Sequence, residues 1–333
     1  MQTPLLDVRN LNLSFRLGGR WCPTVEDVSY QINAGETLGI VGESGSGKSV
    51  SSMALLGFTG RARGQKVGGQ ALYKGQDLLT MSDKQLQGIR GKEIAMVFQE
   101  PMTSLDPSFK IGDQIAAAVR RHRAMSWRDA RIEAVRAMDM VRIPNAALRA
   151  DSYPHEFSGG MRQRVLIAMA MVNRPSVLIA DEPTTALDVS VQAQVLNLLK
   201  DMQKELGLAI IFISHNMGVI ADICDRVAVM YAGQIVEDGE VHDIFARPRH
   251  PYTKRLLSSM PSMEKRQGQL EWIEGSPPPP TRFPTGCRFA PRCLERRAVC
   301  DTPPTLVEYS AAHWTRCQRY HDFNTATAES QHV

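Results

Sequence analysis

The stretch ETLGIVGESGSGKS (36–49) constrains the fold of this chain more than any other. ETLGIV is an apolar run of strand length that stops at a glycine-rich loop, and KSVSSMALLG continues with helical spacing. GESGSGKS (42–49) fits the pattern G-x-x-x-x-G-K-[ST] without adjustment, and its place between a strand and a helix gives the pattern meaning. Gly42, Gly45 and Gly47 let the loop, which also holds Glu43, Ser44 and Ser46, curl so that backbone N–H groups converge on β- and γ-phosphates. A helix starting near Lys48 aims its positive end at the same point. Lys48 supplies a full charge and Ser49 a hydroxyl for Mg²⁺; Val50 is assigned no role. The bland alternative is a glycine-rich turn with no ligand.

VLIADEP (177–183) supplies the second half of such a site. An apolar strand carries Asp181 to a sheet edge, where it suits Mg²⁺ through water, and Glu182 follows, placed to orient an attacking water. Adjacent carboxylates repel unless a cation or solvent compensates, so a solvated acidic turn is the alternative if the pair stood alone. Together the two stretches describe phosphoryl transfer to water, by positioning and charge stabilisation.

Strand and helix signals alternate along the chain, which argues for a parallel α/β sheet covered on both faces. LLDVRNLNLSF alternates loosely, residues 77–172 read as mostly helical, and a helix of about 191–206 precedes the strand LAIIFIS. SWRDARIEAVRAMDMV (126–141) predicts a helix with Ser126 as N-cap and Asp129 in its first turn, its apolar face carrying Ile132, Val135, Met138 and Val141. DRVAVMYAGQIVEDG (225–239) reads as two strands joined at Ala232-Gly233. GSPPPPTRFPTG (275–286) reads as a linker, because proline fixes φ and lacks the N–H. Net charge is +4, from 39 basic and 35 acidic residues, which fits a solvated mixed surface better than a nucleic-acid-binding face. The N-terminus lacks a signal-peptide pattern and the longest apolar runs are too short to span a bilayer, so a soluble chain in the cytosol is expected.

HEFSGGMRQR (155–164) closely resembles the signature motif of ABC-type ATPases, with Phe157 and Met161 in place of the commonest Leu and Gln. The resemblance runs over about residues 5–250, in the expected order: MVFQEP (96–101) as the Q-loop, TTALD (184–188) as the D-loop and FISHNM (212–217) as the switch segment. It implies that Ser158, Gly159, Gly160 and Met161 face the γ-phosphate held by a second subunit, and that Gln99 reaches Mg²⁺ and the water. It further implies that Asp188 crosses the dimer seam, that His215 touches the γ-phosphate, and that Phe15 stacks on adenine unless it is plain core. Catalytic work then falls to Glu182, His215 and Gln99, and Mg²⁺ to Ser49, Gln99 and Asp181. One copy of each motif means that a partner domain on another chain must complete two ATP sandwiches.

After residue 245, HPYT, the proline-rich stretch and GCRFAPRC resemble the C-terminal region of ATP-binding subunits of dipeptide and oligopeptide permeases. The resemblance implies a [4Fe–4S] cluster on Cys287, Cys293, Cys300 and Cys317. Four thiolates suit Fe–S or zinc, and unliganded thiols remain a third reading; spacings of five, six and sixteen lack the tight knuckle of structural zinc. Arg288, Arg292, Arg296 and Arg297 are expected to surround the thiols and favour thiolate.

The expected fold class is α/β: a P-loop ABC ATPase with an antiparallel β subdomain, a helical signature subdomain (about 100–165) and a small loop-rich, cysteine-containing C-terminal region. The boundaries are 1–250 for the ATPase and 251–333 for the tail. The expected function is ATP hydrolysis powering an importer for di-/oligopeptides or related small solutes, at the cytoplasmic face of the membrane. Two permease subunits would dock at EPMTSLDPSFKIGDQ (100–114), with a second homologous ATPase and, indirectly, a solute-binding protein as the other partners, and no nucleic acid. The alternative is a soluble ABC ATPase acting on nucleic acid or ribosomes; the long heptad insertion or second cassette it requires is lacking.

Overall fold

The computed structural model describes residues 3–59, 64–99, 104–185, 187–260 and 273–320. The chain forms two compact units, one of residues 1–32, 37–80 and 214–333, the other of 33–36 and 81–213. The first unit opens with β1 (Leu6–Leu17), β2 (Arg20–Ile32), β3 (Thr37–Val41), α1 (Lys48–Leu55), β4 (Gln65–Tyr73) and β5 (Gln76–Asp77). The second holds α2 (Asp83–Ile89), β6 (Ile94–Val97), α3 (Ile111–Arg120), α4 (Trp127–Met140), α5 (Ala146–Arg149), α6 (Gly159–Met171), β7 (Val177–Asp181), α7 (Val189–Leu206) and β8 (Ala209–Ser214). The chain returns to the first unit with α8 (Met217–Ile223), β9 (Arg226–Tyr231), β10 (Gln234–Glu240), α9 (Val241–Ala246), α10 (Pro251–Ser258), β11 (Val307–Ser310) and β12 (His313–Thr315).

In the first unit an antiparallel sheet runs β2-β1-β4-β5. The loose alternation of β1 has a local cause. Leu6 and Val8 are buried, and then Leu11 and Leu13, so the apolar phase slips by one. The register with β2 shifts between Val8 and Leu11, where Asn10 sits at φ +46° and its amide donates to Asp27 at 2.7 Å. A bulge there keeps all four side chains on the core face, which strict pleating would forbid. The remaining strands of this unit run β11-β12-β10-β9-β3, with β3 and β9 parallel and the other pairs antiparallel. Ala232 (φ +45°) and Gly233 (φ +83°) join β9 to β10, the two left-handed residues that a tight hairpin needs.

In the second unit β8, β7 and β6 are parallel, with Ile179 opposite both Met96 and Ile211. Every residue of β7 and β8 is buried, as a sheet covered on both faces requires. The strand β6 interrupts the stretch expected to be mostly helical; four residues, IAMV, are too few to display a period of two. Ser126 caps α4 as expected, its hydroxyl accepting from the Asp129 N–H at 3.1 Å. Met138 and Val141 of the expected face of α4 are buried, but Ile132 is 46% exposed, and Ala130, Ala134 and Ala137 are buried with them. Steps of three drift around a helix, while the alanines at i, i+4 and i+7 hold one face. Among the described residues no helix is long and apolar enough to cross a membrane.

Candidate nucleotide-binding and cysteine sites

The phosphate loop leaves the fully buried β3 and enters α1. Gly42 has no alternative: an added Cβ would lie 2.0 Å from the Met230 carbonyl oxygen. Gly47 caps α1 at φ +101° with no side-chain hydrogen bond, so the helix presents its positive end without a competing cap. Lys48 is buried, and its Nζ donates to the carbonyls of Gly42 at 2.8 Å and Glu43 at 3.0 Å. Ser46 is buried and its carbonyl accepts from Gly233 at 2.8 Å, tying the loop to the β9–β10 turn. Phe15 is half-buried on β1, so it is not plain core. His215 is exposed, directly after β8.

In the second unit Asp181 ends β7, buried, opposite Ile213 of β8. Glu182 then turns into left-handed backbone at φ +48°, a conformation costly for a residue with a Cβ. Its N–H donates to the Ile213 carbonyl at 3.0 Å, and its carboxylate accepts from Gln99 Nε2 at 3.1 Å and Thr185 Oγ1 at 2.8 Å. Two of the expected catalytic residues, Gln99 and Glu182, are thereby in direct contact across 83 positions. The Gln99 amide and the Thr185 hydroxyl hold the carboxylate in one orientation at a strand end, where it can aim a water or accept from one.

Ser158 caps α6, accepting from the Met161 N–H at 3.4 Å, and Ser158 and Gly159 are exposed. Gly160 packs against Val191 at the start of α7 so closely that a Cβ would lie 2.3 Å from Cγ1. Phe157, in the place where leucine is commonest, is buried under Arg149, so its difference is absorbed by packing. Asp188 caps α7, its Oδ1 accepting from the Val191 N–H at 3.0 Å and from Ser190 Oγ at 2.7 Å. These bonds, the backbone one foremost, hold its carboxyl below the ordinary range.

Cys287, Cys293, Cys300 and Cys317 line one small cavity, together with His250 and Phe289, and none is in a disulfide. Among the described residues no three His, Cys, Asp or Glu side chains stand close enough to hold a single metal ion. Burial pushes the Cys287 and Cys293 thiols up and Cys317 to about 11, and the neighbouring thiols push the same way. Arg319 and Arg255 pull Cys293 back. The expected ring of flanking arginines is not what surrounds them. Arg288 pairs with Glu26 and donates to the Ala232 carbonyl at 2.5 Å, Arg292 pairs with Glu43 and Arg296 with Asp301. A largely buried guanidinium takes the nearest carboxylate and carbonyls before it can serve a thiol.

Family comparison agrees with this geometry. The family described as ABC transporter matches residues 25–185, and the one described as Oligopeptide/dipeptide transporter, C-terminal region, matches residues 236–300. The chain is 49% identical over 314 residues, 94% of each chain, to a Brucella melitensis protein provisionally named for peptide import ATP binding. It is 46% identical over 314 residues, again 94% of each chain, to the dipeptide transport ATP-binding protein DppD of Bacillus subtilis. The chain belongs to the ATP-binding subunits of the oligopeptide/dipeptide ABC transporter family. Its fold is that of an ABC cassette: the dimeric ATP-binding cassette MJ0796, in a post-hydrolysis state bound to ADP and Pi, superposes with a TM-score of 0.62 at 26% identity over 71% of this chain and 98% of that one.

In this ABC subunit, sequence reasoning missed the contacts of two residues, Tyr252 and Arg292, with the phosphate loop. The Tyr252 hydroxyl accepts from the Glu43 N–H at 2.9 Å, and Arg292 Nη1 donates to the Glu43 carboxylate at 2.9 Å and to the Tyr231 hydroxyl at 3.4 Å. Tyr252 is the tyrosine of HPYT, quoted above only for its resemblance, so the signal was present without its meaning. Residues 100–103 of the expected permease contact and Ala186 of the D-loop lie outside the described residues.

Proposed function

We propose that this ABC subunit hydrolyses ATP to power import of di-/oligopeptides or related small solutes through a membrane permease. Hydrolysis is the activity of the family, and the peptide class is supported by relatives named for peptide, dipeptide and oligopeptide transport along nearly the whole chain. The observation that carries the catalytic reading is Glu182: a carboxylate in costly left-handed backbone at a strand end, gripped by Gln99 and Thr185.

The roles follow from the chemistry of each group. Residues 42–49 cradle the β- and γ-phosphates, with the Lys48 ammonium moving from its own loop carbonyls to the incoming oxygens. Phe15, half-exposed, offers a face for adenine. Asp181, whose carboxylate is buried, and Ser49 and Gln99 each offer a hard oxygen donor of the kind Mg²⁺ takes, and the ion when bound would supply charge against the phosphates. Glu182 orients the attacking water and His215 contacts the γ-phosphate. Ser158, Gly159, Gly160 and Met161 present the exposed N-terminus of α6 to the nucleotide of a second, homologous ATPase subunit, and Asp188 lies at the seam between the two.

The division we propose is an ATPase of residues 1–250 and a tail of 251–333. In the tail, four cysteines line one cavity, and their spacings of five, six and sixteen, without the tight knuckle of structural zinc, suit an iron–sulfur cluster better than a single tetrahedral zinc. Such a cluster, when bound, would cross-link a loop-rich segment. The assembly comprises this chain with a second homologous ATPase, a homodimer being the alternative, and two permease subunits that a solute-binding protein serves, with this chain peripheral on the cytoplasmic face. Glu182→Gln keeps the volume of the side chain and removes its charge. It should retain ATP binding while lowering steady-state hydrolysis at least about 100-fold. Turnover equal to the parent's would remove Glu182 from the catalytic role.

A further inference from the structure

Glu43 is the second residue of the phosphate loop, and it brings a carboxylate to a place that must receive a polyphosphate. Left alone, that charge would oppose the ligand. It is not left alone. The Arg292 guanidinium, 249 positions later and side-chain buried, donates from Nη1 to both carboxylate oxygens of Glu43, at 3.2 and 2.9 Å. The remaining donors of Arg292 are used as well: Nε to the Glu274 carbonyl at 2.8 Å, and Nη2 to the carbonyls of Ile273 at 3.1 Å and Gly275 at 3.0 Å. Gly275, the first residue of the segment that reads as a linker, and the two residues before it are thus bolted to the same arginine.

The Glu43 backbone is held too. Its N–H points to the Tyr252 hydroxyl at 2.9 Å. Tyr252 is fully buried and packs on Tyr231 and Phe289, with ring centroids 4.7 and 5.4 Å away. Phe289 lies between Cys287 and Cys293 in the chain, and Arg292 directly precedes Cys293. The cysteine-bearing loop and the helix α10 therefore meet on one residue of the phosphate loop, from the side chain and from the main chain.

We infer that the C-terminal tail positions the phosphate loop, with Arg292 neutralising Glu43 and Tyr252 fixing its backbone, so that both are positioning residues for ATP binding. The inference rests on residues 42–49 being the ATP site. A guanidinium whose three nitrogens donate to one carboxylate, three carbonyls and the Tyr231 hydroxyl is a specific clamp and not a solvated surface charge. It makes the nucleotide affinity of the ATPase depend on the order of the tail.

The test is a double-mutant cycle on the full chain, with ATP affinity measured by isothermal titration calorimetry. Arg292→Ala should weaken ATP binding about tenfold, the scale of a lost charge-assisted bond. In the Glu43→Gln background the same substitution should cost less than about twofold, because no carboxylate is left to neutralise. A merely structural role for Arg292 would give the same loss in both backgrounds, and that result, or no loss in either, overturns the inference. If Arg292→Ala does not fold, Arg292→Met keeps the length and packing of the side chain and carries the same comparison. Lys48→Ala separates the two layers: unchanged ATP affinity there would refute the phosphate site itself, whatever Arg292 does.

Discussion

His250, the N-cap at the entrance to the tail, shows what a single residue contributes there. It is fully buried, its Nδ1 accepts from the Tyr252 N–H at 3.1 Å, and its own N–H donates to Glu237 at 2.9 Å. Burial lowers its pKa to about 4, with Glu237 pulling the other way. The unfolded chain protonates the same imidazole near pH 6.5. Between these values the unfolded state binds a proton that the folded state refuses. The contribution of His250 is therefore complete above about pH 6.5 and is lost as pH falls towards 4, by up to about 3 kcal/mol. The thermal midpoint should drop between pH 7 and 4.5, and His250→Asn, which keeps an N-cap acceptor, should flatten part of that slope. Equal slopes would assign the loss to other groups. At this scale the sequence was legible where chemistry is local. Lys48 and Gly47 sit within one loop, and Ser126 caps a helix three residues from its partner. The clamp on Glu43 was not legible, because Tyr252 and Arg292 come from 209 and 249 positions away.

Among elements, strands and helices with strong periods were readable: β3, β7, β8 and the β9–β10 hairpin stand where their apolar runs place them. The strand β6 was absorbed into a helical stretch because it is four residues long, and α4 turned its alanines inward in place of Ile132. Both depend on packing between elements, which composition along one segment does not encode. The tail is the element whose order is least self-sufficient. Past α10 its described residues form short turns and two brief strands, tied down by β12 pairing with β10 and by Arg316, which donates to the Ile235 carbonyl at 2.9 Å and to Asp27 at 2.9 Å. A cluster on Cys287, Cys293, Cys300 and Cys317 would supply the missing cross-link. Protein purified without oxygen should be brown and contain iron, and Cys293→Ser should bleach it. Colourless protein with stoichiometric zinc would contradict the iron–sulfur proposal.

On the scale of the whole molecule, the chain carries one phosphate loop, one signature and one set of carboxylates. In the first unit the phosphate loop and tail are tied to each other, and in the second the carboxylate end of β7 and the capped N-terminus of α6 stand ready. A single copy of each part needs a second cassette, and an importer needs membrane chains. The most direct measurement is to tag this subunit, solubilise membranes in mild detergent and identify what co-purifies by mass spectrometry. Two membrane permease chains should co-purify together with a second ATPase subunit. Ribosomal proteins or DNA-bound factors, with no membrane chain among them, would contradict the importer while leaving the ATPase in place.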